Sequence, residues 1–167
     1  MWESNGKRGV VVLPTATGKT HIGIEAISRV SESSLVVAPT IELVQQWRSR
    51  LESSLGVEIG QLGGDVREVR DITVSTYDSA YLMAEKLGNR FRFLLADEVH
   101  HMASEQYSQI AKMYASPYRL GLSATTKELS DTLDMASIPM CVLPVAVGST
   151  TTPRLPLLSH ILIASFW

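Results

Sequence analysis

Gly9-Val10-Val11-Val12-Leu13-Pro14-Thr15-Ala16-Thr17-Gly18-Lys19-Thr20-His21 is the stretch that decides the fold. A short apolar run enters a loop, and a helix-length segment, His21 to Val30, follows it. Apolar runs of this length without polar alternation fit strands covered on both faces. A strand that feeds a tight loop and then a helix aims backbone N–H groups and the positive helix end at one point, which suits a phosphate chain. Lys19 then faces the outer phosphates, and the Thr20 hydroxyl is a ligand for Mg²⁺. Thr15, Ala16, Thr17 and Gly18 complete the loop as phosphate-binding positions. The strict pattern asks for Gly where this chain has Leu13, and a left-handed backbone at Ala16 would cost on the order of 1 kcal/mol. The competing reading is an ordinary strand, turn and helix with an exposed lysine.

Outward from this loop the rhythm repeats. Leu35 to Ala38, Ile72 to Ser75, Phe91 to Ala96 and Leu120 to Ala124 are short apolar runs. Between them lie the helix-like stretches Ile41 to Leu55, Tyr77 to Leu87 and Ser104 to Tyr114. The alternation predicts a doubly wound α/β fold, a mainly parallel sheet with helices on both faces and ligands at the carboxyl ends of the strands. In the stretch from Ile41, helical spacing places Leu43, Trp47, Arg50 and Leu51 near one face and Glu42, Arg48 and Glu52 elsewhere. Trp47 is therefore expected in the core and not as a platform for bases. There is no internal repeat.

The run Phe93-Leu94-Leu95-Ala96 stops at Asp97-Glu98-Val99-His100, which puts two carboxylates at the carboxyl end of a strand. One such group can hold Mg²⁺ through water while its neighbour orients an attacking water and accepts its proton. Asp97 is assigned the metal side and Glu98 the base, with Lys19 as the third catalytic residue. A solvated turn is the plain alternative, weakened by the phosphate loop upstream. Adjacent His100 and His101 point in different directions on a helix, and no Cys accompanies them, so a zinc site is not expected.

Composition sets limits. The chain has 167 residues, 45% hydrophobic and 19% charged, with 15 Lys plus Arg against 17 Asp plus Glu. A formal net charge of -2 leaves no bulk footprint for nucleic acid, so any such function rests on motifs. The single cysteine, Cys141, excludes an internal disulfide framework and fits a reducing compartment, cytoplasmic or, in a eukaryote, nuclear. Met1 to Arg8 lacks the apolar core of a signal peptide. Beyond Asp134 the chain has no Asp or Glu, Arg154 as its only Lys or Arg, and prolines at 139, 144, 153 and 156. Leu155 to Trp167 is too short for a bilayer, which takes about 20 apolar residues. This stretch reads as a foreign tail; the alternative is a further strand packed on the domain.

The segments LPTATGKT, VVAPTIELVQQW, ITVSTYDSA, LLADEVHH and YRLGLSATT, in this order, resemble motifs I, Ia, Ib, II and III of superfamily 2 helicases. The wording of IELVQQW, DEVHH and SEQYSQIAKMYASPYRLGLSAT is most similar to the XPB branch, especially its archaeal members. The match runs from Gly9 to Thr126, about three quarters of the chain. The resemblance implies a P-loop NTPase domain of RecA-like form that binds ATP and Mg²⁺ and acts on single-stranded or forked DNA in repair or transcription-linked duplex opening. It further implies that His100 and the segment Ser123-Ala124-Thr125 link nucleotide state to DNA movement. Pro39, Thr40, Gln46 and Thr76 match strand-contacting positions, where hydroxyls and helix ends suit phosphate contacts. Capping of the helix that starts at Ile41 is the plain alternative for Thr40.

Departures from the family pattern set further expectations. Residues 1–8 read as a shortened lead-in, 9–126 as the ATP-binding domain, and 127–167 as the charge-poor tail, an arrangement expected of a truncated or frame-shifted reading frame. Lys127-Glu128-Leu129 does not match the family's Arg-Glu-Asp element. A second RecA-like domain is the expected partner, and loss of its arginine finger costs a factor of about 10³ to 10⁵ in phosphoryl transfer. Two further readings stand beside the incomplete motor: a non-catalytic ATP- and DNA-binding fragment or gene remnant, and a restriction-enzyme or remodelling-type translocase domain.

Overall fold

The computed structural model describes residues 8–14, 18–124 and 142–144. The five sequence-predicted strands are present as β1 (Arg8–Val12), β2 (Ser34–Ala38), β5 (Ile72–Thr76), β6 (Phe93–Ala96) and β7 (Tyr118–Ser123). The four helices are α1 (Lys19–Val30), α2 (Ile41–Leu55), α3 (Tyr77–Leu87) and α4 (Glu105–Met113). A 3-10 segment, Val99–Ala103, follows β6. Three further strands complete the sheet, β3 (Gly60–Gly63), β4 (Val66–Glu68) and β8 (Val142–Pro144).

The strands form one sheet in the order β4-β3-β5-β2-β6-β7-β1-β8, parallel throughout except where β4 folds back on β3. This is the doubly wound α/β arrangement expected of a P-loop NTPase. Successive side chains of a strand point to opposite faces, so each apolar run feeds two cores. Val10, Leu35, Val37, Leu94 and Ala96 pack on one face with residues of α3 and α4. Val11, Val36, Ala38, Phe93 and Leu95 pack on the other with residues of α1 and α2. All five residues of β2 are fully buried, as a central strand between two helical layers requires.

Helix ends follow local chemistry. Thr40 accepts a hydrogen bond from the Leu43 N–H at 3.4 Å, and Thr76 from the Ser79 N–H at 3.2 Å. Both hydroxyls cap N–H groups that have no partner within the helix. Gly56 ends α2 in the left-handed region, φ 67°.

The structure corrects the sequence reading at α2 and adds strands that it did not predict. The buried stripe of α2 is Val44, Trp47 and Leu51, whereas Leu43 is half-buried and Arg50 exposed. Helix α2 lies over β2 and β5, and this direction turns its core face by about one residue from the one assigned to Leu43. Strands β3 and β4 were not expected, because Gly60-Gln61-Leu62-Gly63 and Val66-Arg67-Glu68 carry neither an apolar run nor a clear alternation. Within the stretch read as a foreign tail, Val142–Pro144 pairs in parallel with β1, from Val10↔Val142 to Val12↔Pro144.

Candidate functional site

The sequence-predicted residues collect where the parallel strands end. Lys19 opens α1 after β1, Pro39 and Thr40 follow β2, Thr76 closes β5, Asp97 and Glu98 follow β6, and Ser123 closes β7. This is the edge at which open α/β sheets place ligands.

Gly18 precedes α1 with φ 96°, a left-handed backbone that glycine adopts without penalty. No side chain caps this helix start and its first turn carries no acidic residue; the His21 and Ile22 N–H groups turn back to the Gly18 carbonyl at 2.9 and 3.2 Å. A Cβ added at Gly18 would meet nothing within 4 Å among the described residues, so the left-handed backbone and not crowding is what calls for glycine there. Thr20 is half-buried in the first turn. Thr15, Ala16 and Thr17, expected to complete the loop, lie outside the described residues, as does Thr125.

Lys19 Nζ lies 2.9 Å from Glu98 Oε1, with the two side chains 12% and 24% exposed. Glu98 holds φ 48°, one of two non-glycine residues in the left-handed region among those described. Such a backbone costs on the order of 1–3 kcal/mol and is retained where the surroundings fix it. Here the Glu98 N–H donates to Asp97 Oδ1 at 3.0 Å, and the Glu98 carbonyl accepts from the His101 N–H at 3.0 Å. His100 Nδ1 sits 3.7 Å from Glu98 Oε2. The rings of His100 and His101 lie 4.4 Å apart, which corrects the expectation that they diverge: the segment is a 3-10 turn and not an α-helix.

Asp97 is 8% exposed. Its Oδ2 accepts from the Trp47 indole Nε1–H at 2.8 Å, and its main-chain carbonyl accepts from the Tyr77 hydroxyl at 2.9 Å. Burial pushes the Asp97 carboxyl above the ordinary range and the Glu98 charge adds to this, while the Trp47 bond and Lys19 pull it back. Burial also raises the Tyr77 phenol well above its usual value. Sequence reasoning placed Trp47 in the core correctly, at 2% exposure, but missed that its polar edge reaches the site. The N–H of a buried indole needs a partner, and that need was the available signal.

Ser123 is fully buried at the end of β7, and its carbonyl accepts from the Leu13 N–H at 3.0 Å, which ties the motif III strand to the start of the loop. Ala124 is half-buried beside it. A second group forms at the ends of β2 and β5, where Ala38 pairs with Thr76. A Cβ added at Gly63 would lie 2.9 Å from Thr76 Cγ2 and 3.4 Å from Ile41 Cδ1, so Thr76 and the residue after Thr40 flank one glycine turn. Thr40 and Gln46 are exposed, and Pro39 is half-buried. Among the described residues no group of three His, Cys, Asp or Glu side chains could hold a metal by itself, and no helix is long and apolar enough to cross a membrane.

Comparison with known proteins agrees with this arrangement. The family model described as type III restriction enzyme, res subunit, matches residues 1–128. The DNA 3'-5' translocase XPB2 of Sulfurisphaera tokodaii is 50% identical over 119 residues, covering 71% of this chain and 27% of that protein. The general transcription and DNA repair factor IIH helicase/translocase subunit XPB of Schizosaccharomyces pombe is 28% identical over 146 residues, covering 77% of this chain and 18% of that protein. The chain thus spans about a quarter or less of the length of these relatives. The crystal structure of the UvsW helicase from bacteriophage T4 superposes with a TM-score of 0.68 at 17% identity, over 82% of this chain and 54% of that one, which shows the RecA-like fold. The identity to the archaeal translocase favours the XPB reading over a restriction or remodelling enzyme. The chain therefore belongs to the family of the restriction-subunit model and, within it, to the XPB-type superfamily 2 helicases, whose first RecA-like domain it carries.

Proposed function

We propose that residues 9–126 bind Mg·ATP and work as the first motor domain of a DNA-dependent ATPase, in DNA repair or transcription-linked duplex opening. The observation that carries this reading is the contact of Lys19 with Glu98 at the start of α1. It brings the phosphate-binding lysine and the acid pair into one place.

The residues fit the nucleotide and its ion. The uncapped start of α1 and Lys19 suit a triphosphate, and the buried Asp97 carboxylate with the Thr20 hydroxyl suits Mg²⁺ through oxygen ligands and water. Bound there, Mg²⁺ would offset the charge that develops on the phosphates. Lys19 exchanges Glu98 for a phosphate oxygen, which frees Glu98 to orient water and take its proton. Asp97 holds its position through Trp47, Tyr77 and the Glu98 N–H. His100, next to Glu98, and Ser123, next to the loop, report nucleotide state to the rest of the domain.

DNA is the partner that the names of the relatives point to. Pro39, Thr40, Gln46 and Thr76 supply hydroxyls and helix starts for backbone phosphates at the shared edge of β2 and β5. Turnover in full requires a second RecA-like domain to supply an arginine finger, so hydrolysis by these residues alone is slow. An ATPase assay with and without forked DNA tests the proposal. Weak DNA-stimulated turnover that Lys19→Ala abolishes supports it. ATP binding without any turnover would favour a non-catalytic module, and a rate equal to that of an intact two-domain enzyme would overturn the need for a partner domain.

A further inference from the structure

We propose that Trp47 is a positioning residue for Asp97, and that Gly23 is the gap through which its indole reaches the site. The proposal rests on the nucleotide reading above and adds to it a residue on a different helix. The indole is 2% exposed, and its Nε1–H points at Asp97 Oδ2 from 2.8 Å. Indole nitrogen is a donor only, so the bond selects an acceptor and favours the ionised carboxylate. The Glu98 N–H takes Oδ1, so each carboxylate oxygen has one chain-supplied donor. With about two lone-pair sites on each oxygen, one remains on either side for water or metal.

The approach depends on space in α1. A Cβ at Gly23 would lie 2.6 Å from Trp47 Cη2 and 2.9 Å from Leu95 Cδ1, closer than packed atoms approach. A glycine inside a helix is destabilising relative to alanine, so its presence between Ile22 and Ile24 has a packing reason. Phenylalanine would fill an apolar slot nearly as well as tryptophan. What it lacks is the N–H that the carboxylate receives. Because Thr40 is the N-cap of α2, Trp47 joins the helix that follows the strand-contacting positions to the metal-side carboxylate.

The test uses the whole chain labelled with ¹⁵N at its three tryptophans, Trp2, Trp47 and Trp167. The Trp47 indole signal is identified by its loss in Trp47→Phe, and in the otherwise unchanged chain it should move upfield in Asp97→Asn but not in Glu98→Gln. Fluorescent ATP binding is then titrated with Mg²⁺. Trp47→Phe should raise the Mg²⁺ concentration for half-maximal binding about tenfold to a hundredfold, as loss of an outer-shell partner does, with metal-free binding unchanged. Where Trp47→Phe fails to fold, Gly23→Ala displaces the ring with its N–H intact, so the Trp47 indole signal should move upfield and the Mg²⁺ concentration for half-maximal binding should rise. An indole signal indifferent to Asp97→Asn overturns the proposal, as does unchanged Mg²⁺ dependence in a folded variant. Absence of Mg·ATP binding in the wild type is a different failure: it removes the nucleotide reading, and the metal-positioning role with it, even if the indole shift is seen.

Discussion

Lys19 Nζ and Glu98 Oε1 meet at 2.9 Å although the two residues stand 79 positions apart in the chain. The meeting is produced by the strand order, which sets β6 one strand away from β1 with β7 between them. It is fixed locally by the left-handed backbone of Glu98. In this arrangement the lysine that would hold phosphate is engaged by the carboxylate that would activate water.

Removing that engagement should separate binding from turnover. A partly exposed ion pair is worth roughly 1 kcal/mol at most, so Glu98→Gln should bind ATP up to about fivefold more tightly. Turnover should fall to background, because an amide cannot accept the proton. Nucleotide affinity from fluorescence, paired with phosphate release, checks both halves. Weaker binding in Glu98→Gln would mean that the carboxylate assists the nucleotide and does not compete with it.

Arg119 should be a stability determinant far from the chemistry. Its guanidinium, 8% exposed as a residue, donates to the carbonyls of Ser116 at 3.0 Å, Ala111 at 2.6 Å and Tyr114 at 2.7 Å. These are carbonyls at and beyond the end of α4, where no helical partner exists. Arg119→Ala strands all three and should cost about 3 kcal/mol, read from the urea midpoint at constant m-value. Arg119→Lys, with a single nitrogen, should recover only part of the loss.

Tyr114 gives the domain an alkaline limb. It is fully buried and donates to the Ala80 carbonyl at 3.0 Å, and burial pushes its phenol from 10.0 up to about 12. Below pH 10 both folded and unfolded chains keep the proton; between there and about 12 only the folded chain does. The unfolded state then binds fewer protons, so stability is fully present below that window and falls as pH rises through it. Tyr114→Phe should lose about 1 kcal/mol at neutral pH from the missing hydrogen bond. Its further decline between pH 10 and 12 should be smaller than in the wild type, with Tyr77 sustaining what remains. Urea unfolding at both ends of the window measures it, and an identical decline in both proteins would contradict the assignment.

The central fold was legible because buried parallel strands leave a physical trace, a continuous apolar run, and all five such runs became strands. The helices that follow them were legible from spacing and from Thr40 and Thr76 as caps. The β3–β4 hairpin left no such trace. Only β4 lies at the sheet edge; β3 is buried, but at Gly60 and Gly63 neighbouring atoms leave no room for a Cβ, so glycine stands where Val or Ile would have marked a strand. Arg48, Glu68, Arg70 and Glu58 hold the hairpin with ion pairs, of which Arg48 with Glu68 and Arg70 with Glu58 join side chains well apart in the chain. Lys19, Asp97 and Glu98 could be assigned because each ends or follows a strand. The Trp47 bond to Asp97 could not, since it depends on the angle of α2 over the sheet and on the gap at Gly23, neither of which periodicity encodes.

The most direct test of a phosphate-binding role for Lys19 is calorimetric titration of Mg·ATP into the wild-type chain and into Lys19→Ala. The predicted result is binding by the wild type and a loss of at least about 2 kcal/mol, roughly thirtyfold in affinity, in the variant. Equal affinity in the two chains, or no binding by a folded wild type, would contradict it.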